Sequence, residues 1–344
     1  MIFLDASALC NRRWRTKNNT PKNMSLLKNI PKIPRKAFNA VFTPMGRKSL
    51  RNRLKSDRAK RDAGYQKNGT YIYALNNSRP FLLHRDNQLS ELIYFEGAYE
   101  PLETLIVSQT VRAGDVVLDI GANVGYFTAL LDELVRPGGQ VHSFEPGSGT
   151  FTHLAETKKL LGLDRTVLHQ KAISDSAGHI DFFVSTSGSD AQQSTVKAAA
   201  LGQQIRQHRV EATTLDGFVT ELRTKGVQGI AFVKCDIEGA ELSMIKGAQS
   251  IITSQDPPVW MIEHNRAALL EHGNSSRDLV SPFAGSDIYF VPLSWPPSIL
   301  ASRQASKWSS VPDELPDECN LIIVPKRGAY ASRADGLRKA GLIA

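Results

Sequence analysis

The sequence predicts an α/β fold: a doubly wound, Rossmann-like sheet, mostly parallel, with an antiparallel strand near its C-terminal end. Three observations carry this expectation. From residue 116 onward, short and almost wholly apolar runs alternate with helix-length segments, the texture of βα units. The runs are continuous rather than polar at every second residue, as expected for strands covered on both faces. The first run ends in an acid-and-glycine turn, Asp119-Ile-Gly121, at the strand end where such sheets open their ligand crevice.

The elements follow in order. Thr70-Tyr-Ile-Tyr-Ala-Leu75 and Pro80–His84 are rich in strand formers, and Leu89–Phe95 and Leu102–Val111 read as helices. Val116–Ile120 is the first buried strand, with a helix over about Val124–Val135. Gly138-Gly139 turns the chain into the strand Gln140–Glu145. A helix over about Thr150–Leu161 and a strand Thr166–Lys171 come next. His179–Val184 and Val210–Thr214 frame a stretch rich in Ser, Gly and Gln that reads as an excursion or hairpin. Asp216 is expected to cap a helix reaching Thr224. Gly229–Lys234 is a further strand, followed by a helix from Gly239 to Ile252. Pro258–Glu263, Ile288–Val291 and Asn320–Pro325 close the series. No internal repeat is present.

Composition divides the chain. Residues 1–70 carry 18 Lys and Arg against three acids, whereas the rest of the chain is mildly acidic. Residues 1–68 therefore read as a basic arm or linker, broken by Pro21, Pro31, Pro34 and Pro44, with one short basic helix over Arg51–Ala63. Residues 69–326 read as the folded domain, and 327–344 as a C-terminal tail. A basic arm of this kind is either a solvated extension or a grip on nucleic acid or an anionic surface. No run of about 18 uncharged apolar residues is present, so no transmembrane segment is expected. Cys10, Cys235 and Cys319 are too few and too widely spaced for a disulfide framework. A cytoplasmic location is expected, with organellar targeting by the basic N-terminus as the alternative.

The turn after the first strand differs from the Gly-x-Gly-x-x-Gly dinucleotide fingerprint. Asn123 stands where the second glycine lets a pyrophosphate approach. An acid two residues before Gly121 suits a cationic ligand better than a diphosphate. Gly121 is read as clearing the strand end for a ligand, Gly125 as letting the next helix pack closely on the sheet. Asn123 is read as a cap or a ligand contact. Glu145, at the end of the second strand, can accept hydrogen bonds from two ribose hydroxyls. These features fit S-adenosylmethionine, which has an ammonium and a sulfonium but no phosphate. Further on, Ala172 and Ile173 can pack on an adenine ring, and Ser174 or Asp175 can bond its amine; an ordinary Asp-capped turn is the alternative.

Lys234-Cys-Asp236-Ile-Glu238-Gly239-Ala-Glu241 places three carboxylates at the end of a buried strand. Asp236 is expected at the same rim as Asp119 and Glu145. Glu238 and Glu241 are candidates for the site or simply stabilisers of a helix N-terminus. Glu263 and His264 end the next strand. His264 is either a general base, with a pKa near neutrality, or a core or loop histidine. Asp236, Glu263 and His264 lack the tight spacing of a divalent-metal site, and no metal is expected. Asp236, Glu238, Glu263 and His264 are thus the catalytic candidates.

Several of these segments together resemble the FkbM methyltransferases. The likeness rests on Gly97-Ala-Tyr-Glu-Pro101, Val117–Gly125, Phe144-Glu-Pro146, Thr214-Leu-Asp216, Lys234-Cys-Asp-Ile-Glu-Gly239 and Asn320–Pro325, and covers about residues 70–326. It implies a class I, S-adenosylmethionine-dependent O-methyltransferase. The implied acceptor is a hydroxyl of a sugar, a polyketide or another small metabolite. By motif it assigns Asp119, Gly121, Asn123 and Glu145 to the cofactor, and Asp236 and Glu238 to an acidic element beside the methyl donor. The alternatives are a nucleic-acid methyltransferase gripping RNA through residues 1–68, or an inactive binding protein of this fold.

Overall fold

The computed structural model describes residues 70–74, 80–84, 87, 89–90, 93, 99–185, 193–194, 205–293, 304–309 and 315–343. The basic arm, the end of the first strand at Leu75, and most of the Leu89–Phe95 helix lie outside the described residues, as do residues 186–192, 195–204, 294–303 and 310–314.

An eight-stranded sheet forms the centre. Its parallel part consists of β3 (Val116–Ile120), β4 (Gln140–Phe144), β5 (Thr166–His169), β10 (Phe232–Cys235) and β11 (Val259–Asn265). The chain runs from β3 outward to β4 and β5, then returns to add β10 and β11 on the other side of β3. This reversal beside β3 is the switch point at which α/β sheets bind ligands. The antiparallel character near the C-terminus spreads over three strands rather than one. β14 (Glu318–Pro325) lies antiparallel to β11, β12 (Ser286–Pro292) to β14, and β13 (Ser306–Lys307) to β12. A smaller sheet joins β6 (Ala172–Ile173), β7 (Gly178–Ser185), β8 (Gln193–Ser194) and β9 (Ile205–Thr213), so the expected excursion is a β7–β9 hairpin. Near the N-terminal edge, β1 (Thr70–Ala74) pairs antiparallel with β2 (Pro80–His84).

Helices cover both faces of the large sheet. On one side α1 (Pro101–Thr110) and α2 (Tyr126–Leu134) bury Ile106, Val107, Phe127 and Leu131 against Val117, Val141 and Phe232. On the other, α4 (Leu215–Thr224) and the pair α5 (Glu241–Lys246) and α6 (Gln249–Ile252) pack on Leu118, Phe144, Val233 and Trp260. Burying each such aliphatic or aromatic side chain contributes roughly 1.5–3 kcal/mol, which explains why the strand residues are apolar on both faces. β2 adds a third, smaller cluster in which Phe81 and Leu83 meet Leu89, Ile93 and Val124.

Several boundaries differ from expectation for reasons of tertiary contact. The single helix expected over Gly239–Ile252 starts at Glu241 and breaks at Gly247-Ala248. At that break the Gly247 carbonyl accepts the Asp216 amide at 2.9 Å, and a side chain at Gly247 would overlap the carbonyl oxygen of Ser174, so the position is held to glycine. Asp216 does not cap its own helix: the Thr214 hydroxyl oxygen accepts the Gly217 amide at 3.0 Å. The Asp216 carboxylate instead accepts the amides of Ser250 and Ile251 at 2.8 and 3.0 Å, capping α6 from α4. The segment after Arg327 is no tail. It forms α9 (Arg333–Lys339), with Leu337 buried against the α1 side of the core. The Arg333 guanidinium there bonds the Thr110 carbonyl and Asp115. No helix among the described residues is long and apolar enough to cross a membrane.

Candidate active site

A cleft of about 1160 Å³, including its open mouth, lies at the carboxyl ends of β3, β4 and β10. Asp119, Gly121, Asn123, Glu145, Asp236 and Glu238 all line it. Its walls are completed by Tyr99, Tyr126 and Phe127 on the α1–α2 side and by Lys171, Ala172 and Ile173 after β5.

The turn after β3 is built by left-handed backbone at Gly121 (φ 79°), Asn123 (φ 49°) and Gly125 (φ 94°). Asparagine is among the few side chains that tolerate this region. The Asn123 side chain is pinned, its Oδ1 accepting from Asn87 Nδ2 at 2.8 Å and from the Val124 amide at 2.9 Å. The Asn123 amide donates to Glu145 Oε2 at 3.1 Å, while the Gly147 amide donates to Glu145 Oε1 at 2.9 Å. Two backbone donors therefore hold the Glu145 carboxylate at the cleft wall. Both glycines also meet close protein neighbours. A Cβ at Gly121 would overlap the carbonyl oxygen of Asp236, so glycine is what lets the β3 and β10 ends approach. A Cβ at Gly125 would meet Leu154 of α3 (Ser148–Leu161) at 2.8 Å, so Gly125 fits α2 against α3, not against the sheet.

Charge is concentrated at the centre. Lys234 is buried, its Nζ 3.0 Å from Asp236 Oδ2 and 5.0 Å from the centre of the Phe127 ring. Burial pulls its ammonium down, but Asp236, Asp119 and Glu100 outweigh this and hold it charged well above the usual lysine range. Asp119 accepts the Thr128 hydroxyl at 2.6 Å on Oδ2, whereas its Oδ1 is buried without a hydrogen-bond partner. Burial raises the Asp119 pKa, against Lys234 and Thr128. Glu238 adopts left-handed backbone (φ 56°), and burial together with Asp236 and Glu241 pushes its carboxyl up to about 8. Backbone strain of this kind in a non-glycine residue is concentrated at ligand and active sites. Glu241 serves the loop. Its Oε1 accepts the Ile237 amide at 2.9 Å and the Gly239 amide at 3.3 Å, tying down the turn that carries Asp236 and Glu238.

Five expected residues, Gly125, Ser174, Asp175, Glu263 and His264, do not line the cleft. Ser174 Oγ meets Ser243 Oγ at 3.1 Å, and the exposed Asp175 carboxylate accepts from Ser176 Oγ. Glu263 and His264 are neighbours on a strand, so their side chains leave on opposite faces. Glu263 joins the acidic cluster without lining the cleft: burial, then Asp236 and Glu238, raise its pKa well above the usual carboxylate range. His264 is fully buried, with Nε2 2.8 Å from Ser276 Oγ and Nδ1 3.8 Å from Cys319 Sγ. Burial foremost, and Arg266, lower it to about 4, so it is a neutral pin between β11, β14 and α8 (Ser276–Val280). The residues that sequence reasoning left without a role are Lys234, Tyr99, Glu100, Tyr126 and Thr128. Their only signal was that the first three fall inside segments already distinctive as motifs.

The family model of the methyltransferase FkbM domain matches residues 119–280, from Asp119 to the end of α8. The chain is also 30% identical over 179 residues to the 2-O-methyltransferase NoeI of Sinorhizobium fredii, covering 46% of this chain and 70% of that one. The chain belongs to the FkbM methyltransferase family. The family member FkbM of Streptomyces tacrolimicus, a 31-O-demethyl-FK506 methyltransferase, is 42% identical over 71 residues, which are 20% of this chain and 25% of its own. Among solved structures, the SAM-dependent O-methyltransferase of Thermotoga maritima aligns at 10% identity with a TM-score of 0.38, over 74% of this chain and 92% of that one. Within this methyltransferase, the matched stretch carries Asp119, Glu145, Asp236 and Glu238, the carboxylates that line the cleft.

Proposed function

We propose that this methyltransferase moves the sulfonium methyl group of S-adenosylmethionine to a hydroxyl of a sugar or another small metabolite. The observation that carries this reading is the charge of the cleft. Asp119, Glu145, Asp236 and Glu238 face it against Lys234, itself paired with Asp236, and Lys171 at the far wall. Such a lining favours a ligand that brings positive charge and disfavours a diphosphate. Asp119, with a buried oxygen left over, is suited to an ammonium donor, and Glu145, held by two amides, to ribose hydroxyls. Ala172 and Ile173 offer an apolar bed for an adenine ring. S-adenosylmethionine supplies an already activated methyl group, so the protein's part is alignment of the acceptor and removal of its proton. The names of NoeI and FkbM, both methyltransferases acting at oxygen, support a hydroxyl acceptor here.

Glu145→Ala removes the acceptor for two ribose hydroxyls. At about 1.5–3 kcal/mol for each bond to a charged acceptor, S-adenosylmethionine affinity is expected to fall at least tenfold by calorimetry. Unchanged affinity in that variant sinks the cofactor assignment.

A further inference from the structure

Glu100 combines three features that the reading above leaves unused. Its backbone is left-handed (φ 40°, ψ 65°) although it is not glycine, and it directly precedes Pro101, whose ring crowds the residue before it. Its side chain is half-buried, with Oε2 enclosed and without a hydrogen-bond partner. The Tyr99 hydroxyl is hydrogen-bonded to the same carboxyl group, and Tyr99 lines the cleft. A strained residue thus holds a carboxyl group directly behind a phenol that faces the ligand space. The charged groups around it are Glu103 on α1, Asp236 and Lys234 at the end of β10, and Glu263 on β11.

Methyl transfer from a sulfonium to a hydroxyl forms a C–O bond, returns the C–S electron pair to sulfur and liberates the hydroxyl proton. A cation disappears from the cleft and a proton must find a base. We infer that Tyr99 and Glu100 are that proton acceptor: Tyr99 meets the acceptor hydroxyl, and Glu100 stores the proton behind it. The acceptor proton passes to the Tyr99 oxygen as the Tyr99 proton passes to the Glu100 carboxylate. Loss of the sulfonium charge is matched by loss of the Glu100 charge, so the net charge of the cleft stays constant while Lys234 remains an ammonium throughout. The environment suits this exchange. Burial, then Glu103 and Asp236, bring Glu100 up to about 8 against Lys234 and the Tyr99 bond, and burial keeps Tyr99 protonated as a donor. A group so placed is mostly protonated near neutral pH until a cation arrives.

This inference rests on the cofactor reading above, and its test separates the two. S-adenosylmethionine and S-adenosylhomocysteine differ by one positive charge. Calorimetric titrations at pH 7 in buffers of different ionisation enthalpy count the protons exchanged on binding each. In the wild type, S-adenosylmethionine is expected to release roughly half a proton or more beyond S-adenosylhomocysteine. In Glu100→Gln that difference should fall by at least half, and in Glu100→Asp it should persist. Infrared difference spectra of the wild type should show a protonated carboxyl band lost with the sulfonium ligand and kept with the thioether. An undiminished difference in Glu100→Gln, or equal proton release by both ligands in the wild type, overturns the role of Glu100 and leaves the cofactor reading intact. Failure of the wild type to bind either ligand overturns both.

Discussion

The cleft and the β11–β14 seam bury polar groups in opposite ways. Around the cleft, Asp119, Glu100 and Glu263 each keep an enclosed oxygen without a partner, and Asn123, Glu238 and Glu100 hold left-handed backbone. At the seam, His264 is engaged at both ring nitrogens by Ser276 and Cys319, and Asn320 donates to Glu103 at 3.2 Å. A buried polar group normally has its partner, because an unmet one costs about 1–3 kcal/mol. Among the described residues the buried carboxylate oxygens without a partner all belong to this acidic group, and together with the strain they mark a surface prepared for something outside the protein. Satisfied groups mark internal structure. Glu263 and His264 make the contrast within two consecutive residues.

The largest effect expected from this contrast belongs to Lys234. It is a buried cation within a group of buried acids, and Lys234→Met leaves Asp236, its ion-pair partner, and the neighbouring Asp119 uncompensated. Breaking such a buried arrangement costs about 3–5 kcal/mol, read by denaturant unfolding. A loss below about 1 kcal/mol would mean that the acids are already neutral in the folded protein.

Asp236→Asn comes next. Methyl transfer is expected to fall by roughly a hundredfold, with S-adenosylmethionine binding within a few-fold, as for a group that acts on the acceptor rather than the cofactor. Because Asp236 is also the near partner of Lys234, stability should drop by about 1–3 kcal/mol. Full turnover in this variant would remove Asp236 from the chemistry.

Ser276→Ala tests the seam. It takes one partner from His264, so stability should fall by about 1 kcal/mol while cofactor affinity stays at the parent value. A shifted affinity would break the distinction between the two regions.

The contrast also has a pH signature. Glu100 and Glu238, raised to about 8, and Glu241, raised to about 7, hold protons in the folded protein that the unfolded chain releases near 4.5. Their contribution is complete below 4.5 and is lost as pH rises toward 8. His142, His169 and His264, lowered to about 4 from 6.5, contribute stability that is lost as pH falls from 6.5 toward 4. The two trends oppose each other at acidic pH, and above 6.5 only the carboxyls act. The melting temperature is expected to fall from pH 6.5 to 8. A rise across that window would show the cleft acids to be ionised throughout.

The features legible from residue order alone lie within short spans. Val116–Ile120 is apolar except for Asp119, and glycines with Asn123 follow it as a turn, so strand, turn and helix were legible from adjacent residues. Glu145 followed from the length of one βαβ unit, and Asp236 from standing just past an apolar strand. Even the parting of Glu263 from His264 was available, since neighbouring strand residues face opposite ways. Tertiary structure alone decided the rest. Nothing near Asp216 announces that it caps a helix 34 residues further on, and nothing near Gly247 announces the Ser174 carbonyl that leaves no room for a side chain there. The same holds for α9, whose buried face needs α1 to exist. Lys234 looked like one more strand residue until the ends of β3 and β10 and the turn at Glu100 closed around it. Local pattern sets which way a backbone turns and which face is apolar. The partners of a buried charge come from segments far apart in the chain, and only the closed fold brings them within hydrogen-bonding and Coulombic reach.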